Sequence, residues 1–422
     1  AERDGGQSTS ASAEMGQETD SSGRIIRHYT ADGVLLPLKN PEVAMEKCNS
    51  HANAQARRRL ALVLVGLPAR GKTFTSQKLT RYLRWMGFTT KHFNVGSYRR
   101  KVSGAAVGAG FFDAGNSDAA QARELAAKLC MEDMLRWMEG GGQVGIYDAT
   151  NTTRKRREWL AEMARGRCKL IFIETISNDP RLITQNIKEK VEHSSDYKGV
   201  PLDEATADFK RRIKEYERVY EPVGTESSPT RPGGKGSYIK LIDIASGSGH
   251  MQINRIQGYL PGRIVSFLVN TTLHRCPIYI TRHGESTDNA LGRMGGDASL
   301  SAGGDEFARN LAAYIKSLPP NLRPQSVWIS MLKRSAETAK YLHDIPKVVW
   351  RQLNEIDMGV CDGMTYSEIK AAMPAEFEMR AKDKLRFRYS RGESYLDVIQ
   401  RLESLIIELE RQQQPVLIVA HQ

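Results

Sequence analysis

Leu60-Ala61-Leu62-Val63-Leu64-Val65-Gly66-Leu67-Pro68-Ala69-Arg70-Gly71-Lys72-Thr73 decides the fold of the first half of the chain. The six apolar residues ending in glycine suit a buried parallel strand. Gly66–Thr73 then matches G-x-x-x-x-G-K-[ST] in full. Glycines let the backbone curl so that successive N–H groups converge on phosphate oxygens at a helix N-terminus, whose dipole favours anions. Lys72 is placed to bridge β- and γ-phosphates and the Thr73 hydroxyl to ligate Mg²⁺. The motif follows a strand and opens a helix, with Phe74, Leu79, Leu83 and Met86 near one face.

Outward from this motif, strand-like runs recur at Lys91–Val95, Gln143–Tyr147 and Lys169–Glu174, separated by helical stretches such as Ala119–Met138. That alternation predicts a parallel sheet with helices on both faces. Gly224–Gly236 is the clearest break, and one last strand, Ser237–Ile242, is expected to complete the first domain. A bridging helix near Arg255–Val269 precedes a second alternating pattern, from Pro277–Ile280 through Ser326–Ser330 to Pro415–Ala420. The expected division is an unstructured tail over 1–24, an N-terminal extension over 25–59, and domains at 60–270 and 271–422.

The 422 residues suffice for two cores. The composition, 40% apolar and 26% charged, is that of a soluble globular protein, with no apolar run of spanning length. No charged segment followed by an apolar one opens the chain, although a start at Ala1 leaves a trimmed leader open. Five scattered cysteines without metal-ligand spacing read as reduced thiols of an intracellular protein. The expected compartment is the cytoplasm, organelle targeting being left open. The net charge of +12 asks for polyanionic partners, either nucleic acid or phosphorylated metabolites with ATP.

A phosphate loop needs an acidic residue at a neighbouring strand end to organise Mg²⁺, and Asp148 is well placed. Thr150 and the cations Arg154-Lys155-Arg156-Arg157 follow it, a reasonable receptor for a phosphorylated acceptor. In the second half, Arg282-His283-Gly284-Glu285 follows an apolar strand. An imidazole can attack phosphorus if cations screen the oxygens. Asn289 and Arg293, a capped helix start at Leu300–Gly304, Arg334 after a strand, Glu355 and a strand-ending His421 support that reading. Ligands of open α/β sheets sit at the carboxyl ends of strands, where His283 and His421 both fall. Arginine forks suit phosphoryl oxygens, and Glu355 can protonate a leaving oxygen and later activate water.

With these residues assembled, the chain closely resembles the bifunctional 6-phosphofructo-2-kinase/fructose-2,6-bisphosphatase family. The resemblance runs from about Leu60 to Gln422 and rests on GLPARGKT (66–73), FNVGSYRR (93–100), DATNTTRKRR (148–157), SSDY (194–197), RHGES (282–286), NEIDMGVCDGMTY (354–366) and RGESY (391–395). It implies an α/β protein of two domains, a P-loop NTPase-type parallel sheet followed by a histidine-phosphatase, phosphoglycerate-mutase-like domain. ATP and Mg²⁺ would bind at Gly66, Leu67, Pro68, Ala69, Arg70, Gly71, Lys72 and Thr73, with Asp148 at the metal and Asn186 a further nucleotide contact. Fructose 6-phosphate would be held by Arg99, Arg123, Thr150, Arg156, Arg212 and Tyr216. His283 looks like the nucleophile and Glu355 the proton donor and acceptor, with Arg282, Arg334 and His421 clamping the phosphoryl group. Asn289, Gly295, Tyr366, Arg380, Lys384, Tyr395 and Gln422 match positions that hold fructose 2,6-bisphosphate.

Three departures accompany it. A lysine expected near the end of Asn186–Val191 falls on Val191, with Lys190 one residue earlier, a shift of about 100° on a helix. Ser177 stands where the family often has cysteine. The chain stops at His421-Gln422, where the family continues through another helix and a further substrate-binding arginine. A fragment whose phosphatase half lacks a covering helix is therefore expected. Alternatives are a kinase-only member with a degenerate regulatory phosphatase domain and a nucleic-acid end-processing kinase/phosphatase. The RHG constellation argues against the latter, so no nucleic acid or membrane is expected as partner. The oligomeric state is open, a homodimer being one arrangement.

Overall fold

The computed structural model describes residues 16–19, 25–29, 59–104, 108–113, 115–224, 236–244, 249–272 and 276–422. In the expected unstructured tail, β1 (Gly16–Thr19) pairs antiparallel with β2 (Ile25–Tyr29) of the N-terminal extension. The β-branched and aromatic content of β2 favours an extended chain that can template the pair. The rest of the 1–58 region and the interior of the 224–236 break lie outside the described residues.

The first large sheet is built from β3 (Leu60–Val65), β4 (Thr90–Asn94), β5 (Val144–Asp148), β6 (Lys169–Ile176), β7 (Tyr238–Ile242) and β8 (His250–Asn254). Their order is β4-β5-β3-β6-β7-β8, parallel except for the β7–β8 pair. The helices are α1 (Lys72–Trp85), α2 (Val95–Ser103), α3 (Ser117–Glu139), α4 (Arg154–Ala164), α5 (Pro180–Glu192), α6 (Leu202–Arg218) and α7 (Tyr259–Asn270). Every residue of β3 is buried. Leu60, Leu62 and Leu64 pack on one face with Leu79, Leu83, Ile264 and Phe267. Ala61, Val63 and Val65 pack on the other with Met131, Met134, Leu135 and Leu160. Two helix layers on a period-2 strand explain why it reads as an unbroken apolar run.

Ser237–Ile242 does not complete this sheet. β8 adds an antiparallel edge beyond it. Its sequence, His250-Met251-Gln252-Ile253-Asn254, is mostly polar because an edge strand is only partly covered.

The second sheet comprises β9 (Ile278–Arg282), β10 (Ser326–Ile329), β11 (Lys347–Val349) and β12 (Val416–Ala420), all parallel in the order β11-β10-β12-β9. Around it lie α8 (Thr287–Ala290), α9 (Ala302–Ser317), α10 (Lys333–Thr338), α11 (Tyr366–Ala372), α12 (Pro374–Lys382) and α13 (Tyr395–Arg411). As the expected cap, Ser301 Oγ accepts from Gly304 N at the start of α9. Val327, Ile329, Leu417 and Val419 pack with Ile315 and Leu342, and Trp328, Val416 and Ile418 with Leu353 and Leu405. β9 forms the edge, where Ile280 is 75% exposed.

The two halves meet where α13 crosses α1 and α7. Tyr82 stacks on Phe267 with ring centroids 4.1 Å apart, and its hydroxyl donates to the buried Glu403 at 2.6 Å. Arg263 Nε donates to the same carboxylate at 2.7 Å, and Lys78 pairs with Glu410. Cys130, Cys168, Cys276 and Cys361 are free thiols. Among the described residues no helix is long and apolar enough to cross a membrane.

Candidate active sites

The phosphate loop runs between β3 and α1, and β3 lies between β5 and β6. The strand order reverses there, which opens a crevice at the carboxyl end of β3. Gly66 has φ 135°, and a Cβ there would stand 2.5 Å from Thr175 O, so only glycine lets the chain turn this close to β6. Gly71 adopts φ 81° as N-cap of α1 and makes no side-chain cap, so the loop itself must present the first-turn N–H groups to a ligand. Ala69 shares the left-handed conformation at φ 59°. Arg70 leans back on Pro68 O and lies 3.8 Å from Glu217.

Lys72 is buried and donates to Leu67 O at 2.5 Å. Burial pushes its ammonium down to about 7, against the pull of Asp148. Asp148 ends β5 directly opposite Asn94 of β4, and its Oδ2 accepts from Asn94 Nδ2 at 2.7 Å and lies 3.1 Å from His92 Nε2. Burial raises this carboxyl, but His92, Lys72 and the Thr73 hydroxyl outweigh it and hold the pKa below the ordinary range. Thr73 and Asp148, the two expected metal ligands, thus lie within reach of one another. Asn186 Nδ2 donates to Ala69 O at 3.1 Å, bracing the loop through its backbone.

The lysine displacement resolves on α5. Val191 packs into a core with Ile187, Ala205 and Phe209. Lys190, exposed on α5, has its pKa lowered by partial desolvation and lies within electrostatic reach of Asp148 and Asp196, which favour its charge.

Two of the expected acceptor-side cations, Arg99 and Arg212, gather on a residue that sequence reasoning did not single out. Arg99 Nη2 donates to the buried Asp196 at 2.5 Å, and Arg212 and Arg100 lie 3.7 and 3.9 Å from it. Arg212 stacks 3.7 Å over the Phe112 ring, with Tyr216 on the same ring. Arg123 donates to Phe111 O and Asp113 O. Thr150 contributes its carbonyl to Gly66 N at 2.9 Å. Arg156 lies over Trp159. The run of four cations is not one receptor, however. Arg157 is buried and donates to Asn151 O, Thr152 O and Pro222 O, a structural role that follows from its pointing to the opposite side of α4 from solvent.

In the second sheet β9 and β12 are adjacent, with Arg282 paired to Ala420, so His283 and His421 leave neighbouring strand ends together. Their ring centroids are 4.9 Å apart. His283 Nδ1 lies 2.6 Å from Gly284 O. A carbonyl only accepts, so Nδ1 carries the proton and Nε2 keeps its lone pair, facing Arg334 Nε at 3.2 Å. Burial, followed by the charges of Arg334 and Arg282, pushes His283 down to about 4. Burial likewise pushes His421 to about 3; its Nε2 meets Ser330 Oγ at 2.8 Å and its Nδ1 lies 3.8 Å from Glu355 Oε2. Burial raises Glu355. Gly284 is obligatory, since a Cβ there would lie 2.5 Å from Gly304 O.

The remaining expected contacts surround this centre unevenly. Arg282 is exposed at the end of β9, whereas Arg334 is buried and also donates to Gly296 O at 2.7 Å. Asn289 spends its Oδ1 on Ser286 N in a capping box. Gly295 has φ 72°, and a Cβ there would overlap Asp362 Oδ1 at 1.7 Å. Tyr366 and Arg380 pair at 3.4 Å. Lys384, Tyr395 and Gln422 are exposed, although Gln422 offers its backbone N–H to Glu355.

Residues 47–275 match the family model described as 6-phosphofructo-2-kinase, and residues 278–422 that of the histidine phosphatase superfamily, branch 1. A 6-phosphofructo-2-kinase/fructose-2,6-bisphosphatase of Arabidopsis thaliana is 51% identical over 413 residues, covering 95% of this chain and 54% of that protein. One of Gallus gallus is 45% identical over 363 residues, covering 86% of this chain and 75% of the relative. The Homo sapiens 6-phosphofructo-2-kinase/fructose-2,6-bisphosphatase 4 is 42% identical over 391 residues, covering 92% and 81%. The chain thus spans about half the length of the plant relative and three quarters or more of the two animal ones. With a phosphate loop facing an arginine cluster on one sheet and a paired-histidine centre on the next, the chain belongs to the 6-phosphofructo-2-kinase/fructose-2,6-bisphosphatase family.

Proposed function

We propose that residues 60–270 transfer the γ-phosphoryl group of ATP to O2 of fructose 6-phosphate, and that residues 271–422 hydrolyse the 2-phosphate of the product. The observation that supports the first reaction best is the meeting of Lys72, Thr73 and Asp148 within one crevice beside the Asp196-centred arginines. The Thr73 hydroxyl and Asp148 carboxylate are hard oxygen donors of the kind Mg²⁺ takes. When bound, the ion would screen the β- and γ-phosphate charge. Lys72 and the loop N–H groups bind the polyphosphate, while Arg99, Arg212 and Arg123 hold the sugar phosphate. Ligand charge returns Lys72 to its protonated form.

For the second reaction, His283 Nε2 is a neutral nucleophile at physiological pH. Its lone pair forms the N–P bond as the O2–P bond breaks, and the Glu355 carboxyl, its pKa raised by burial, gives its proton to O2. Water then attacks the phosphohistidine, Glu355 takes that water's proton, and phosphate leaves with the imidazole neutral again. Arg334 and Arg282 offset the negative phosphoryl oxygens throughout.

Incubation with Mg²⁺-ATP and fructose 6-phosphate should yield the 2,6-bisphosphate. Lys72→Met should abolish that reaction and His283→Ala should spare it. Equal loss of kinase activity in both variants would refute this division of labour.

A further inference from the structure

Glu355 stands on no regular element. It lies between the short turn Arg351–Leu353 and the turn Gly359–Cys361, in a stretch of chain that must hold a proton donor to within a fraction of an ångström. One side chain from outside gathers that stretch. Arg401, on α13, directs Nη1 at Gln352 O and Nη2 at Asn354 O (2.7 Å) and Glu355 O (3.2 Å). Its Nε and Nη2 also donate to the two carboxylate oxygens of Glu393, at 2.9 and 3.1 Å.

Glu393 carries the restraint further. Its Oε2 accepts from Asp357 N at 3.1 Å, and its own N–H donates to Asp357 O at 2.8 Å. The far side of the stretch is tied as well, with Asn354 Oδ1 accepting from Met331 N at 2.9 Å, next to the Ser330 that meets His421. α13 is itself fixed at its start by a capping box between Ser394 and Asp397. The backbone groups that Arg401 and Glu393 touch all belong to residues 352–357, the segment bearing Glu355.

We propose that Arg401 and Glu393 form a positioning clamp that holds Glu355 in proton-transfer geometry; this rests on the phosphatase reading of the His283 centre. A planar guanidinium is required, because its fork of five N–H donors reaches three carbonyls and a carboxylate at once. Lysine, with three donors on one atom, cannot span them. Neither clamp residue touches the nucleophile, so its loss displaces the acid while leaving the imidazole and Arg334 where they are.

The test uses single-turnover formation of acid-labile phosphohistidine on the full chain from two donors. Fructose 2,6-bisphosphate has a sugar alkoxide as leaving group and needs the Glu355 proton, whereas p-nitrophenyl phosphate releases a phenolate that does not. Arg401→Lys, Arg401→Gln and Glu393→Gln should each slow phosphorylation from the bisphosphate by roughly 10- to 100-fold, the loss expected for a misplaced group. Phosphorylation from p-nitrophenyl phosphate should change by less than about threefold, and bisphosphate affinity by less than about twofold. Kinase activity of the same samples reports folding, and the isosteric Glu393→Gln serves if the arginine variants do not fold. Equal slowing with both donors, or slowing with neither, overturns the clamp. If the unaltered chain phosphorylates His283 from neither donor, the phosphatase reading fails first and the clamp falls with it.

Discussion

The buried lysine of the phosphate loop makes nucleotide binding a proton-linked event. In the free protein burial holds Lys72 near 7, so at pH 8 about nine-tenths of the molecules carry it neutral. A bound polyphosphate places negative charge on the ammonium and restores its usual affinity for a proton. Binding at pH 8 should therefore take up roughly 0.9 proton at Lys72. By linkage, affinity should fall close to tenfold between pH 8 and 9 and by much less between pH 6 and 7. Above pH 8 the nucleotide phosphates are fully ionised and contribute no proton of their own. Calorimetric titration with Mg²⁺ and a non-hydrolysable ATP analogue, in two buffers of different ionisation enthalpy, reads the uptake as a slope. Lys72→Met should bind more weakly, with most of the uptake gone and a flatter pH dependence. No uptake by the unaltered protein at pH 8, or undiminished uptake by Lys72→Met, would refute the reasoning.

The two histidines give a second pH signature. His283 and His421 are held near 4 and 3, below their unfolded value of about 6.5, so the unfolded chain binds more protons in between and stability falls as pH drops from about 6.5 toward 4. Phosphohistidine formation should persist to about pH 4, where His283 becomes protonated; a loss centred near pH 6.5, measured with p-nitrophenyl phosphate, would contradict its burial. Arg157→Ala strips two buried carbonyls, those of Asn151 and Thr152, of a donor and should cost about 3 kcal/mol, seen as a lower Tm. Arg156→Ala should leave Tm nearly unchanged and raise KM for fructose 6-phosphate. Gly295→Ala, whose Cβ would overlap Asp362 at φ 72°, should weaken bisphosphate turnover and spare the kinase reaction.

The parts legible in the sequence were those whose chemistry is local. The Gly66–Thr73 spacing fixes a loop without reference to the rest of the chain, and Asp148 follows because it ends the neighbouring strand. Asp196 and His92 escaped notice because nothing near them in sequence marks a carboxylate that meets arginines from α2 and α6, or an imidazole that meets Asp148 across a strand pair. The basic run 154–157 misled because successive helical residues turn by about 100°, so Arg157 enters the interior while Arg156 stays beside Trp159. Lys190 and Val191 show the same geometry in reverse, for only the packed helix reveals that Val191 enters the core while Lys190 stays outside it. β8 escaped because its covered positions are too few to write an apolar pattern.

α13 ties the two sites into one physical problem. Arg401 and Glu403 lie two residues apart, about 200° around the helix, so one face grips the Glu355 segment while the opposite face meets the kinase half. The partner there, Tyr82, sits on the same helix that opens at Lys72. An apolar contact between the halves would tolerate sliding by an ångström. A buried carboxylate that accepts from a tyrosine and an arginine does not, because hydrogen bonds weaken steeply with distance and angle. Leaving that carboxylate unpaired would also cost more than the contact contributes when intact. The polar lock at Glu403 therefore orients α13 on the kinase half, and through the Arg401 contacts the same helix fixes the segment bearing Glu355, the proposed acid.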